Sequence, residues 1–148
     1  PLVFFGGKNG SMAAFVINTY LGGVPLIYNG QEVGCPVKLP FFSRSPINWT
    51  TNPAMFAAYK RIMAIRAAHP ALRSGTLEYF ANADIAAFKR TTATDEVLVI
   101  VNVRNAAKTF SVPAGIQNTS WTDAVSGAAV NLSSTLGLNA YEYRILIK

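Results

Sequence analysis

The chain is poor in cysteine and histidine, and this shortage excludes several kinds of site. Cys35 is the only cysteine among the 148 residues, so neither an internal disulfide nor a metal cluster built on thiolates is possible. His69 is the only histidine and lies in a His-Pro-Ala-Leu turn after a predicted helix, which favours a capping or packing role over a Cys-His nucleophilic pair. We therefore predict no metal site and no cofactor.

Acidic residues are also few, which leaves an excess of positive charge. Seven acids stand against 13 lysines and arginines, for a formal net charge of +6, and such an excess can indicate nucleic-acid binding. Here the bases are dispersed over residues 1–73, where Glu32 is the only acid, and they form no stripe with interleaved aromatic residues. We expect no nucleic-acid partner and interpret the imbalance as that of a chain separated from an acidic partner domain.

Long uninterrupted apolar runs are missing as well. The best candidate, residues 12–28, is interrupted by Asn18, Gly22, Gly23 and Pro25 and falls short of the roughly 20 apolar residues of a membrane-spanning helix. We expect no membrane association. No signal peptide precedes this run, and the first residue is Pro1, so we expect that the sequence starts inside a longer protein.

The apolar material that is present suffices for a packed core. Hydrophobic residues make up 51% of the chain and charged residues 14%, which is typical of a globular protein. The first half predicts two helices, one beginning at Ser11 and stopping before Gly22, and one beginning at Pro53 after an Asn52 cap. Between them, the apolar residues 24–28 predict a strand buried on both faces.

From residue 76 onward the pattern changes to short strands. Apolar runs separated at short intervals by Asn, Asp, Gly and Pro predict an antiparallel β-sandwich. The predicted strands are residues 76–80, 85–90, 97–102, 109–112, 120–122 and 141–147. The predicted fold is therefore α+β overall, with a helix, a strand and a helix in residues 1–73 and an all-β antiparallel sandwich in residues 74–148.

Four segments, in order along the chain, carry a resemblance to a known family. GVPLIYNGQEVG (residues 23–34) resembles the end of the eighth barrel strand in the alpha-amylase family of glycoside hydrolases. SRSPINW (43–49) is similar to a later segment of that family, with Ile47 in place of methionine. YKRIMAIRAAHPALRSG (59–75) resembles the last barrel helix, and AAFKR (86–90) with VLVIVN (97–102) resembles the first hairpin of the terminal β-domain.

The resemblance implies a (β/α)₈-barrel enzyme that cleaves or transfers α-linked glucosyl units with retention. Residues 1–73 then correspond to the last part of the catalytic barrel and residues 74–148 to the carboxy-terminal β-sandwich domain. The catalytic carboxylates of the family are expected upstream of Pro1, so we assign no catalytic residue and expect the chain alone to be inactive. The implied partners are the missing upstream barrel domain and, through the whole enzyme, an α-glucan such as starch. The resemblance alone favours a secreted or periplasmic location.

Gln31 and Glu32 are the candidate substrate-binding residues. They follow the carboxyl end of the predicted strand, which is the end where barrel enzymes place their sites. They would form a polar wall of the sugar cleft; alternatively, Glu32 pairs with a neighbouring base and Gln31 satisfies loop backbone. We expect Tyr28 in the core, and Trp49, Phe41 and Phe42 to pin the loop rather than stack on sugars.

Two further alternatives stay open at this point. The sandwich could be a carbohydrate-binding module, or a purely structural one, although its aromatic residues do not cluster in the sequence as a binding platform would. The predicted strand at residues 24–28 also lacks barrel neighbours. We expect it to drive self-association of the isolated chain or, alternatively, to pack on the face of its own helix that carries Phe56, Tyr59 and Met63.

Overall fold

The computed structural model describes residues 4–148 and places helices on one side of an antiparallel sheet. Residues 1–3, with which the expected barrel part begins, lie outside the described residues. The helices are α1 (Gly7–Tyr20), α2 (Pro53–Ala68) and α3 (Ala71–Ser74), and a 3₁₀ turn covers Ala114–Ile116. The strands are β1 (Thr76–Phe80), β2 (Ile85–Thr91), β3 (Glu96–Asn102), β4 (Lys108–Ser111), β5 (Thr119–Asp123), β6 (Ala129–Leu132), β7 (Thr135–Leu138) and β8 (Tyr143–Ile147).

The strands of residues 4–148 form one six-stranded sheet in the order β1-β2-β3-β8-β5-β6 and a two-stranded sheet of β4 and β7. The register places Val99 of β3 opposite Phe88 of β2 and opposite Ile145 of β8. Directly opposite residues point to the same face of a sheet, so these three side chains line one face together. β3 is buried along nearly its whole length, as expected for a strand covered on both faces.

Two apolar cores lie on opposite faces of the six-stranded sheet. One is formed with the helices and the other with the two-stranded sheet, so the structure has three layers. This arrangement confirms an α+β fold built on an antiparallel sheet, and the two facing sheets fit the predicted sandwich. The helix-side core includes Phe15, Tyr20, Tyr59, Ile62, Leu72, Phe88 and Val99, and the inter-sheet core includes Leu98, Ile100, Phe110, Trp121 and Leu146.

The two long helices begin in different ways. The Asn52 side chain accepts a hydrogen bond from the Met55 backbone N–H at 3.2 Å, and Pro53 occupies the first position, as predicted for α2. α1 instead begins four residues before the predicted Ser11 cap, at Gly7, and its first turn has no side-chain cap. Gly6 and Gly7 have positive φ angles of 72° and 83°, so glycine backbone geometry starts the helix where no capping side chain is present.

The predicted strand at residues 24–28 is absent from the structure. Its side chains alternate as in a strand, with Val24 92% and Leu26 78% exposed and Ile27 packed against the helix-side core. A strand is defined by hydrogen bonds to a neighbour, and no other segment of residues 4–148 pairs with it. The prediction of a helix, a strand and a helix before residue 74 was therefore wrong for the strand.

The sandwich also differs from the prediction in detail. β6 and β7 were not predicted, and β8 begins at Tyr143 rather than at Tyr141. Tyr141 has a φ of 56°, a left-handed conformation that does not occur inside a regular strand. The remaining predicted strands are present within one or two residues of their predicted bounds.

Candidate functional site

Gln31 lies in a tight turn that follows residues 24–28, and both ends of its side chain are engaged. Its Oε1 accepts a hydrogen bond from the Tyr28 backbone N–H at 3.2 Å, and its Nε2 donates to Tyr59 Oη at 2.9 Å. The Gln31 backbone N–H also donates to the Tyr28 carbonyl at 2.8 Å. Gln31 therefore satisfies loop backbone, as the structural alternative predicted, and ties the turn to helix α2.

Glu32 is less well satisfied than its neighbour. Its Oε2 atom is buried and has no hydrogen-bond partner among residues 4–148, and no ion pair joins it to a base within the same part of the chain. The pairing predicted for Glu32 is thus not found in the described residues. Burial raises the pKa of Tyr59, and the nearby Glu32 carboxylate adds to that rise. A buried acceptor without a donor is costly, so Oε2 of Glu32 is left unsatisfied within the described residues.

A pocket of about 420 Å³ opens beside Gln31. Its walls come from the turn, from the following loop and from Phe4, and they include Tyr28, Cys35, Lys38 and Phe41. Tyr28 is 53% exposed, so the expectation that it is a core residue was wrong.

The loop aromatics are also open to solvent. Phe41 is 83%, Phe42 102% and Trp49 52% exposed. Phe41 and Phe42 therefore do not pin the loop within residues 4–148, whereas about half of Trp49 is covered. Flat exposed rings beside a pocket can stack on pyranose faces.

The other carboxylates are held in polar contacts elsewhere on the protein. All seven acids fall within residues 4–148, and every one except Glu32 has a charged or hydrogen-bonding partner. Retaining hydrolysis needs two carboxyl groups about 5–5.5 Å apart across a sugar. The structure brings no second carboxylate to Glu32. The pairs are Glu78 with Lys89, Asp84 with Arg104 and Lys108, Asp95 with His69, Glu96 with Lys89 and Lys148, and Asp123 and Glu142 with Arg144.

His69 has the capping role that the sequence predicted. It follows the last residue of α2, and its Nδ1 lies 2.8 Å from Asp95 Oδ1. The other oxygen of Asp95 accepts a hydrogen bond from the Ala71 backbone N–H at 2.9 Å. Asp95 therefore bridges the end of α2 to the start of α3.

The described part of the chain shows neither a metal-binding cluster nor a membrane helix. No group of three His, Cys, Asp or Glu side chains comes together within residues 4–148. None of the helices in this range combines the length and the apolarity needed to cross a bilayer. The candidate site therefore consists of the turn with Gln31 and Glu32, the pocket beside it, and Tyr59. The sequence indicated Tyr59 only as a helix-face residue.

Comparison with curated proteins identifies several relatives, although no protein-family model matches the chain. The chain is 28% identical over 137 residues to alpha-amylase 2 of Dictyoglomus thermophilum, a match covering 84% of this chain and 23% of that protein. It is 31% identical over 106 residues to a cyclomaltodextrinase of a Bacillus species, covering 68% of this chain and 19% of that protein. The chain thus spans about a fifth of the length of the curated relatives it matches.

Solved structures share the fold. The chain superposes on an alpha-amylase of Anoxybacillus with a TM-score of 0.82, which covers 94% of this chain and 32% of that one. Sequence identity in this comparison is 18%, so the likeness is one of fold. The helices, the six-stranded sheet and the smaller sheet accordingly occur together within a longer chain.

Proposed function

Since this chain belongs to the alpha-amylase family of glycoside hydrolases, we propose that it forms the carboxy-terminal portion of a retaining enzyme acting on α-glucans such as starch or malto-oligosaccharides. In this proposal residues 1–73 supply the last part of the catalytic (β/α)₈ barrel, and residues 74–148 are the terminal β-sandwich domain. The names of the relatives support the substrate class, and the small share of their length that is matched supports a portion of a larger enzyme.

The observation that carries the proposal is the state of residues 24–28. They have apolar side chains on both sides, yet Val24 and Leu26 are exposed while Ile27 contacts the helix-side core. A strand in a barrel is covered by helices on one side and by barrel side chains on the other, and it pairs along both edges. Only the helix cover is supplied within residues 4–148. The upstream barrel is the partner that would supply the rest.

Gln31 and Glu32 are proposed to form a polar wall of the sugar cleft. Gln31 fixes the turn through Tyr28 and Tyr59, and Glu32 presents a buried acceptor that has no donor among residues 4–148. A donor from the rest of the enzyme would satisfy it. In this proposal the two residues have a binding role, and the nucleophile and the acid/base are supplied from upstream of Pro1.

The test is a chimera in which this chain replaces the matched region of the Bacillus cyclomaltodextrinase. We expect no turnover of soluble starch by the chain alone, because it lacks a pair of catalytic carboxylates, and turnover of malto-oligosaccharides by the chimera. Glu32→Gln in the chimera should raise KM or lower kcat, whereas Glu78→Gln, on the exposed edge strand, should change neither. Turnover by the isolated chain that Glu32→Gln abolishes would refute the proposal, as would a folded chimera without activity.

In the absence of the barrel, the isolated chain is proposed to self-associate through residues 24–28. The exposed apolar side chains and the unpaired backbone of this segment are the features that recruit a second chain. The alternative of a sandwich that binds carbohydrate by itself through exposed aromatic residues gains no support. The large apolar side chains that the β-strands expose among the described residues are Leu77 and Tyr79, and Trp121 is buried.

A further inference from the structure

A groove of about 530 Å³ lies where the first turns of α1 and α2 meet the start of β8. Its volume is within the range of small-molecule sites, about 300–1,000 Å³. Lys8 and Asn9 line it from α1, Asn52 lines it from the cap of α2, and Tyr141 and Tyr143 line it from the sheet. Met12, Met55 and Ala58 form an apolar floor.

The sheet register turns Tyr143 towards the helices, and Tyr141, which precedes β8, lies beside the start of α1. Tyr143 is paired with Val101, whose side chain lies in the helix-side core, so Tyr143 points to the same face. The Tyr141 ring lies against the backbone of Gly6 and Gly10 at the start of α1. Both rings are half-buried. Each ring is therefore partly accessible from the groove.

Several hydrogen-bonding groups of the groove are free among residues 4–148. Asn52 uses its side-chain oxygen to cap α2, which leaves its amide N–H₂ available. The side chains of Asn9, Tyr141 and Tyr143 make no hydrogen bond to a described residue.

The groove carries little negative charge. Glu142, its only acid in the described chain, lies with Oε1 at 2.6 Å from Arg144 Nη2, and its Oε2 accepts a hydrogen bond from the Asn139 backbone N–H at 2.8 Å. Neither helix has an acid in its first turn. The groove therefore offers mainly donors, from the amide groups of Asn9 and Asn52 and the ammonium group of Lys8, beside aromatic and methionine surfaces.

This combination suits a sugar better than an apolar ligand. A pyranose ring has apolar faces that stack on aromatic rings and hydroxyl oxygens that accept hydrogen bonds around its rim. We propose that this groove binds an α-linked glucosyl unit of an oligosaccharide, with Tyr143 contacting the ring face and Asn9, Asn52 and Lys8 donating to its hydroxyl groups. The choice of an α-glucan rests on the proposed function, whereas the site itself rests on the groove.

The test is an NMR titration of the ¹⁵N-labelled 148-residue chain with maltotetraose. We expect saturable shifts of the amides of Lys8, Asn9, Asn52 and Tyr143, with a dissociation constant on the order of 1 mM. Cellotetraose, a β-linked probe, should bind at least several-fold more weakly. Inorganic phosphate serves as an anion probe, because Lys8 and two helix amino termini also favour negative charge.

The diagnostic variant is the double substitution Asn9→Asp and Asn52→Asp. Aspartate keeps the oxygen that caps α2 and suits the first turn of a helix, so the fold is preserved, but both amide donors are lost. Maltotetraose binding should weaken about tenfold, since two hydrogen bonds are removed. The control is Asn105→Asp with Asn131→Asp, which makes the same charge change at exposed positions of the β-domain and should leave binding unchanged.

Several results would overturn the inference. The first two are the absence of saturable shifts at these amides and equal maltotetraose binding by the wild type and the Asn9→Asp and Asn52→Asp double variant. The other two are binding of cellotetraose as tight as that of maltotetraose, and saturation of the groove by phosphate at lower concentrations than by maltotetraose. The outcome is separable from that of the chimera. An active chimera with no binding in the groove overturns only this inference, and binding in the groove with an inactive chimera overturns only the proposed function.

Discussion

Arg90 is the buried residue whose replacement tests most directly how the sheet and the helices are joined. Only 8% of Arg90 is exposed, and its guanidinium reaches across the helix-side core from β2. Its Nε donates to the Ala71 carbonyl at 3.2 Å, and its Nη1 donates to the Leu21 carbonyl at 2.9 Å. Within residues 4–148 no carboxylate pairs with it, so these carbonyls are the groups that stabilise its charge.

Arg90→Met removes both hydrogen bonds while keeping a long apolar stem. Hydrogen bonds from charged donors contribute about 1.5–3 kcal/mol each, and the carbonyls left behind are poorly solvated. The variant also no longer buries the unpaired charge of the guanidinium group, and this gain offsets part of the loss. We expect the free energy of unfolding to fall by about 2–4 kcal/mol, a large share of the roughly 5–15 kcal/mol that stabilises a typical domain.

The measurement is equilibrium unfolding in urea, followed by far-ultraviolet circular dichroism. Arg44→Met is the matched control, because Arg44 is exposed and its loss should change stability by less than about 0.5 kcal/mol. Arg90→Lys should fall between the wild type and Arg90→Met, since a single ammonium group does not reproduce the guanidinium fork. A free energy of unfolding for Arg90→Met within about 0.5 kcal/mol of the wild type would show that the two carbonyl contacts contribute little.

Three further predictions follow from the same structure. Light scattering over a dilution series should show self-association of the wild-type chain that Leu26→Lys reduces; a chain that stays monomeric at high concentration contradicts the role given to residues 24–28. Limited proteolysis should leave residues 75–148 intact, and early cleavage between residues 97 and 112 would count against an independent sandwich. Hydrogen bonds from Arg104 and then Lys108 lower the pKa of Asp84. Because the folded pKa lies below the unfolded one, this stabilisation is present above about pH 4 and is lost as the pH falls through the folded pKa, so the melting temperature of Asp84→Asn should depend less on pH in that range.

The elements that could be predicted from the sequence are those with a local signal. Asn52 followed by Pro53 specifies a helix start without reference to the rest of the chain, and α2 begins there. The apolar run of β3 predicts a strand covered on both faces, and the structure places it between two cores. β6 and β7 have only four residues each and include Asn131 and Gly137. Neither the β-propensity of these residues nor an alternation of apolar and polar side chains therefore indicated a strand.

The predictions that failed concern segments whose structure depends on partners that are distant in the sequence or lie outside residues 4–148. Residues 24–28 have strand composition, but a strand requires a neighbour to pair with. The groove could not be predicted because its residues come from four separate segments of the chain, residues 8–12, 52–58, 125 and 140–143, each with an ordinary local role. Gln31 and Glu32 were found from their place after the apolar run, whereas the contact of Gln31 with Tyr59 depends on how α2 packs.

Hydrogen bonds from α2 and from the β-domain hold residues 24–31 in place. The β-domain thereby supports the candidate site although it contributes no residue to it. At one end, Arg66 of α2 donates to the Thr19 carbonyl at 3.2 Å and to the Gly23 carbonyl at 2.7 Å, beside the contact of Arg90 with Leu21. At the other end, the hydrogen bond between Gln31 and Tyr59 fixes the turn to the same helix. The segment between these points is unpaired, so its position depends on the two ends and on the contact of Ile27 with the helix-side core. Because one of the anchoring arginines belongs to β2, the sheet helps to hold the start of the segment that leads to the turn with Glu32.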